Sequence, residues 1–355
     1  MKLETYILRM LGLAFLFAAG SMLFVALPGI AVGAVHRLPG VSTVAVLTFL
    51  PMAVAAFVPY VLPVAFLLAV VATYGRLAVE NEWTAIQMAG RNPYRMLGPA
   101  VALAFVLSTG IYFLNSRALP WLLHYQRSFQ VSVLQDSIRN LSPGQTEVQF
   151  GDFYLASNYR EENTFHDVFL EVPDPEREGG ARSLVAKSAR FEFTDELMTI
   201  HLGNVEFMRE GGQGRIEYSR TDIPLATLIP PPKETYTKAR YKGSRVIAGE
   251  LASGGIDART RRRYTYALHQ RAANAVTCML FVLLGVPTGI LLRRGTQLGA
   301  MAVAVGYAIL YWVSSLRLGK ELAESGALVP ALCAWGPLAV WCVLAGLMVH
   351  RTFRR

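Results

Sequence analysis

The amino-acid sequence predicts an α-helical integral membrane protein with six transmembrane helices, arranged three plus three around an inserted antiparallel β domain. Only 17% of the 355 residues are charged and the mean hydropathy is +0.35, whereas a soluble domain carries roughly 25% charged residues. A transmembrane helix needs about 20 apolar residues. Six runs meet this length: Met10–Val35, Val44–Thr73, Met96–Leu114, Ala272–Leu292, Leu298–Leu316 and Leu328–Val349.

The first apolar run is too long for the core of a signal peptide, so we interpret it as a retained span. The net charge of +9 comes without an interleaved aromatic and basic motif, so it does not indicate nucleic-acid binding. Cys278, Cys333 and Cys342 all fall in predicted spans without metal-ligand spacing, which is typical of core filler. We expect neither a metal site nor a cofactor.

The third observation is a change of period between residues 148 and 228. Apolar and polar residues alternate in FGDFYLAS, FHDVFLEV and MTIHLGNVEFM, and turn-rich pieces such as PDPEREGG separate these segments. This pattern predicts an antiparallel β domain, a sandwich or jelly roll. The predicted domains are therefore 1–122 with three helices, 123–252 with a β-jellyroll-like domain and its linkers, and 253–355 with three helices.

Orientation follows from the short loops, because Lys and Arg collect on the cytoplasmic side. The loop between spans two and three and both chain ends are rich in arginine. We therefore expect both termini in the cytoplasm and the β domain on the outer side of the membrane. The cluster ARTRRR, Ala258–Arg263, lies on the outer side in this orientation and needs another explanation.

A polar segment, YGRLAVENEWTAIQMAGRNPYRML, interrupts the apolar runs at residues 74–97. On a helical wheel Val79, Trp83, Ile86 and Gly90 form one stripe, with Glu82 at its border, which predicts a short amphipathic helix at about 76–90. It either docks a cytoplasmic partner or rests in the lipid headgroups. The sequence contains no G-x-x-x-x-G-K-[ST] loop, so the chain is not expected to bind ATP phosphates itself.

Five segments follow one another in this order: VPYVLPVAFLLAVVATYGRLAVENEWTAIQMAG, LNSRALPWL, LHQRAANAVTCMLFVLLGVPTGI, RRGTQLGAMAVAVGYAILYW and GALVPALCAWGPLAV. In these segments, and over nearly its whole length, the chain resembles the LptF/LptG (YjgP/YjgQ) permeases of the lipopolysaccharide exporter. Two positions depart from the family pattern. Asn81 stands where an acidic residue or serine is usual, and HLGNVEF reverses the more usual Asn-Gly order.

The resemblance implies the partners and the role of the loop helix. Family members pair with a second permease, paralogue or self, sit on a cytoplasmic ATPase dimer of the LptB type, and dock a periplasmic β-jellyroll bridge of the LptC/LptA type. The loop helix couples ATP-driven closure to the spans, which implicates Glu82, Trp83, Ile86 and Arg91 in ATPase coupling. The chain would be a transporter subunit without its own ATPase site.

A phosphorylated lipid of this kind needs cations near its headgroup. The candidates are His36, Arg37, Arg263, Arg271, Arg317 and Lys320. Snorkelling at the interface is the alternative for each of them. Arg271 lies deeper, where a charge requires either a structural partner or a ligand.

Gly29 and Gly33 form a small-xxx-small pair, which permits either a lateral seam between helices or ordinary packing. A different class of function is also compatible with the sequence. In that alternative the protein is a membrane receptor or scaffold, with a periplasmic sensing domain and a cytoplasmic docking helix. The absence of a cytoplasmic output domain favours transport.

Overall fold

A computed structural model describes the chain over most of its length. The described residues are 2–37, 43–139, 147–150, 153–161, 164–173, 181–193, 197–209, 212–224, 239–292 and 295–354. They divide into two compact units. The first unit comprises Met1–Pro28, Val54–Leu123 and Tyr236–Arg355, and the second comprises Gly29–Ala53 and His124–Thr235.

Ten α-helices are found among the described residues. They are α1 (Lys2–Arg37), α2 (Thr43–Val79), α3 (Glu82–Met88), α4 (Gly98–Phe113), α5 (Leu119–Arg139), α6 (Ser244–Ser253), α7 (Ala258–Leu291), α8 (Gln297–Trp312), α9 (Gly319–Ser325) and α10 (Pro330–Arg354). Within the described part of the chain, six stretches are long and apolar enough to cross a membrane: Leu3–Val35, Val44–Val79, Pro93–Gln130, Ala258–Leu291, Gln297–Ser325 and Pro330–Arg354. The predicted six-span architecture is confirmed.

Two spans contain a π-helical turn, which is often a functional feature. In the third span Leu114–Ala118 is π-helical, and Pro120 explains it. The proline has no N–H to donate, and its ring would clash with the carbonyl of Ser116 in a regular α-helix. In the fifth span Val313–Leu318 is π-helical. There the hydroxyl of Tyr266 donates to the Ser315 carbonyl at 2.7 Å, which satisfies an acceptor that the opened turn exposes.

Helices α2 and α7 pack closely through a pair of glycines in the first unit. A Cβ atom added to Gly289 would lie 2.7 Å from the Val71 carbonyl oxygen and 2.8 Å from the Gly75 nitrogen. Such distances leave no room for a side chain, so the two backbones approach each other as small residues allow in membrane helices. Around this crossing lies the main core of buried Phe66, Val70 and Val286.

The inserted sheet contains six described strands in sequential antiparallel order: β1 (Glu147–Phe150), β2 (Phe153–Glu161), β3 (Thr164–Pro173), β4 (Ala181–Phe193), β5 (Leu197–Arg209) and β6 (Gly212–Pro224). The prediction of an inserted antiparallel β domain is confirmed. Among the described strands the order is that of a meander, in which each strand pairs with its neighbour in sequence. Val168, Leu170, Ala186 and Leu202 are buried in this unit.

The segment HLGNVEF lies inside β5 and forms no hairpin turn. Asn204 has φ 50° and Asp167 in β3 has φ 52°. Both residues lie level with Lys187 of β4, one on each side of that strand. In β5, Asn204 lies between Gly203 and Val205, which pair with Ser188 and Ala186. In β3, Asp167 lies between the partners of the same two β4 residues. Asn and Asp tolerate the left-handed conformation better than other residues that carry a side chain.

Candidate functional site

Candidate functional residues lie at both ends of the helical unit. One end carries α3 and the loops beside it, and we call it the α3 end. The other end carries the start of α7, the end of α9 and the start of α10, and we call it the insert end, because the β insert enters the chain between spans three and four. Each end is described within the first unit.

Helix α3 is shorter than the predicted 76–90 segment, because the chain turns before it. Residues 76–79 continue α2, and Asn81 then adopts φ 58° in the left-handed region. Asparagine is one of the few residues that tolerate this conformation. The turn separates α3 from α2, and it occurs at the position where the sequence departs from the family pattern.

Four aromatic side chains anchor α3 to the bundle. Trp83 is only 3% exposed, and its ring lies 6.2 Å from that of Tyr74 in α2 and 5.7 Å from that of Phe353 in α10. Tyr94, which precedes α4, packs edge-on against Phe353 with ring centroids 5.0 Å apart. The Tyr74 hydroxyl donates to the Met96 carbonyl at 2.7 Å. Trp83 thus connects α3 to spans two and six, while Tyr94 and the Tyr74 hydrogen bond join span three to these same two spans.

Glu82 adds a connection to span one. The Tyr6 hydroxyl of α1 lies 3.3 Å from one carboxylate oxygen of Glu82 and 3.4 Å from the other. Of the other predicted coupling residues, Ile86 is half-buried and Arg91 is exposed. Trp83 therefore points into the bundle, whereas Arg91 offers a polar surface to solvent or to a partner.

A cleft of about 500 Å³ lies beside this region, between α2, α7 and the start of α8. Its lining includes Gly75, Gly289 and the ion pair of Arg76 with Glu80, whose closest atoms are 2.8 Å apart. The α3 end is thus concave, and it carries the positive charge of Arg76 and the negative charge of Glu80 next to α3.

At the insert end, Arg271 holds the segment that precedes α7. It is 8% exposed, and its guanidinium donates to the Ser244 hydroxyl and to the carbonyls of Ala239 and Lys242, each at 2.7 Å. The structure therefore provides Arg271 with partners from its own chain. These bonds attach the start of α6 to α7.

Lys242 strengthens the same attachment. Its ammonium lies 2.7 Å from Glu250 of α6 and 5.1 Å from the centre of the Tyr264 ring. Burial lowers the pKa of Lys242, but the hydrogen bonds to Glu250 and Tyr264 outweigh this effect, and the net pKa is raised. The charged form is thus the stable one in this environment.

Two other predicted headgroup cations share one carboxylate. Nη2 of Arg263 lies 3.3 Å from Glu324, and Nζ of Lys320 lies 3.7 Å from the other oxygen of the same carboxylate. Arg317 is exposed on the π-helical turn of span five. Sequence reasoning missed Glu324, although its i, i+4 spacing from Lys320 was a readable signal.

The remaining predicted residues belong to the first span. His36 and Arg37 fall at the end of α1, and their side chains lie outside the described residues. A Cβ atom added to Gly29 or Gly33 would meet no described atom within 4 Å. This face of α1 is therefore open in the described part of the chain.

Six apolar spans with an inserted antiparallel sheet define a multi-pass membrane protein. The family model for the lipopolysaccharide export system permease LptF/LptG matches residues 5–351. The chain belongs to this family, and the resemblance found in the sequence is confirmed. It is a permease of lipopolysaccharide export and a multi-pass protein of the inner membrane. A search of curated protein sequences gave no match.

Proposed function

We propose that the protein is the membrane permease subunit of an ABC-type exporter. It extracts lipopolysaccharide from the outer leaflet of the inner membrane and passes it to a periplasmic β-jellyroll bridge of the LptC/LptA type. A separate cytoplasmic ATPase dimer of the LptB type supplies the energy, since the sequence has no phosphate-binding loop. The chain itself is therefore not an enzyme.

The attachment of α3 to three spans carries this proposal. A partner that pushes on α3 acts on α1 through Glu82 and Tyr6, and on α2 and α10 through Trp83. A ligand changes a conformational equilibrium only through contacts that differ between the two states. In this proposal Trp83 anchors the helix, and Glu82, Ile86 and Arg91 form the surface that the ATPase contacts.

In the proposed orientation, α3 and both termini lie in the cytoplasm and the insert end lies in the periplasm. This orientation follows from the arginine-rich short loops, because Lys and Arg collect on the cytoplasmic side. The proposed headgroup cations are Arg263, Arg317 and Lys320 of the first unit and, separately, His36 and Arg37 at the end of α1. Arginine suits phosphate because its planar fork binds two oxygens. Arg271 has an indirect role in this proposal, which is to hold the start of α6.

Two surfaces remain for protein partners. The open face of α1 at Gly29 and Gly33 is proposed as the lateral seam with a second permease, because small residues let helices approach closely. In the sheet, β6 has 13 residues whereas β1, at the other edge of the described strands, has four. The longer edge is better suited to strand addition by the bridge protein.

The test compares wild type with Glu82→Ala in nanodiscs, with and without lipopolysaccharide, and measures co-purification and turnover of the ATPase. We expect the variant to lose the partner or the lipid-stimulated turnover. Glu80→Ala is the charge-matched control, because Glu80 lies before α3 and pairs with Arg76 in α2. If association and turnover are unchanged in Glu82→Ala, α3 is an interfacial helix and its proposed coupling role is refuted.

A further inference from the structure

At the insert end, the protein's own carboxylate occupies a site that has the chemistry of an anion site. Glu324 accepts a hydrogen bond from Nη2 of Arg263 at 3.3 Å, while its other oxygen lies 3.7 Å from Nζ of Lys320. Two cations thus share one anion. The pairing joins α7 to α9, because Arg263 belongs to the first helix and the other two residues to the second.

Helix α9 is a separate short piece of span five. The π-helical turn Val313–Leu318 precedes it, and Gly326, with φ 77°, ends it. The guanidinium of Arg262 packs directly against Gly326. Arg262 and Arg263, two consecutive arginines of the ARTRRR cluster, therefore hold both the body and the end of α9. This placement gives a structural reason for the basic cluster.

Another anion can replace Glu324 in its ion pairs with Arg263 and Lys320. Its side chain is 22% exposed and that of Lys320 is 62% exposed, and ion pairs that water reaches are weak. A phosphate monoester carries up to two charges and three acceptor oxygens, and it can bind a guanidinium bidentately. A single carboxylate at 3.3 and 3.7 Å uses the two cations less well than such a group would.

We propose that Glu324 is an internal counter-ion that occupies the headgroup site of Arg263 and Lys320 until a phosphate monoester of the lipid displaces it. The proposal rests on the proposed export function and adds a device for selectivity. Phosphatidylethanolamine carries no net charge and phosphatidylglycerol carries one negative charge. Neither gains enough from the two cations to replace a carboxylate that is already in place. A phosphorylated sugar lipid does.

The first test measures lipid binding to the full chain in nanodiscs, with diphosphorylated lipid A and phosphatase-treated lipid A as probes. We expect Glu324→Gln to bind diphosphorylated lipid A about fivefold more tightly than wild type, which is a typical size for a partly exposed ion pair. Binding of the phosphatase-treated lipid stays unchanged. Glu321→Gln is the matched control, because it removes the same charge from an exposed position of the same helix and should stay within twofold of wild type.

A second measurement follows the attachment of α9 to α7. Glu324→Gln should show faster hydrogen exchange in Gly319–Ser325 without lipid, and diphosphorylated lipid A should restore the protection, because its phosphate would bind Arg263 in α7 and Lys320 in α9 together. If Glu324→Gln folds poorly, Glu324→Asp withdraws the carboxylate by one methylene and should give an intermediate affinity. A purely structural ion pair would change the exchange rate without changing the preference for phosphorylated lipid, and this result would overturn the proposal.

The outcomes separate this inference from the function on which it rests. If wild type does not prefer diphosphorylated over phosphatase-treated lipid A, the headgroup site itself is refuted. If wild type shows the preference but Glu324→Gln and Glu321→Gln behave alike, the export function stands and the counter-ion role is refuted.

Discussion

Replacing Arg271 with alanine should release the segment that connects the insert to span four. The guanidinium supplies three hydrogen bonds of 2.7 Å to residues 239–244. A bond to a charged group contributes about 1.5–3 kcal/mol, but the two carbonyls can be rehydrated once the segment lifts off. We therefore expect a net local loss of about 3 kcal/mol. At about 1.4 kcal/mol per tenfold change, the detached state becomes roughly 100-fold more populated.

Hydrogen exchange of the α6 amides measures this population directly. The amides of Ser244–Ser253 should exchange about 100-fold faster in Arg271→Ala, because local opening limits their exchange. Arg271→Lys should be intermediate, since one ammonium cannot replace a planar fork with several donors. Arg259→Ala, at an exposed position of the same helix, is the control and should leave α6 unchanged.

The same experiment tests the two roles that the sequence left open for Arg271. Exchange in α6 that stays within twofold of wild type would refute the structural role. Lipid A binding that falls in Arg271→Ala while α6 stays protected would identify Arg271 as a headgroup ligand.

Three further predictions concern packing and capping. Gly289→Ala should destabilise the protein by about 1–3 kcal/mol through overpacking, measured by thermal unfolding in detergent, whereas Gly306→Ala, whose Cβ meets no described atom within 4 Å, should not. Trp83→Ala should lower the free energy of unfolding by about 3–5 kcal/mol and uncouple ATPase turnover from lipid. Trp83→Phe should retain most of the coupling. Equal coupling in both variants would contradict the anchoring role. Asp257 caps α7, and its pKa is lowered, chiefly by a hydrogen bond from Thr260. The stabilisation by this cap is therefore fully present above about pH 4, the ordinary pKa of an aspartate. It is lost as the pH falls through the lower pKa of Asp257 in the folded state. Exchange in the first turn of α7, corrected for the intrinsic effect of pH, should therefore rise in acid for wild type, and Asp257→Asn should abolish this rise.

The spans were predictable because a bilayer imposes length and composition on every crossing helix. The ends of the spans were not predictable, because the helices continue beyond the hydrocarbon core. The first predicted span begins at Met10, whereas α1 begins at Lys2. The third predicted span ends at Leu114, where the chain enters the π-helical turn and then continues as α5 to Arg139. Hydropathy detects the lipid-facing part of a helix and not its extension.

The contacts at the two ends were harder to predict because they join residues far apart in sequence. The helical wheel placed Trp83 on an apolar stripe, but the wheel cannot distinguish a stripe that faces lipid from one that faces Tyr74 and Phe353. One partner of Arg263, Glu324, lies 61 residues further along the chain. Alternation predicted strands, yet their meander order depends on which strands pair, and periodicity carries no information about pairing.

Helix α7 connects the two ends and is therefore the natural path for mechanical coupling between them. Of the residues in its apolar stretch, 72% are buried, whereas the corresponding share is 17–56% in the other candidate spans of the described chain. At the α3 end Gly289 crosses α2 without room for a methyl group. At the insert end Tyr266 and Gln270 bond to Ser315 in the π-helical turn of span five. Because packed interfaces tend to move as units rather than deform continuously, we expect a shift of α2 at the glycine crossing to displace α7 and, through Ser315, the turn that leads into α9. Opening that crossing with Gly289→Ala should therefore weaken coupling between ATP turnover and the exchange rate of α9 even where the protein remains folded.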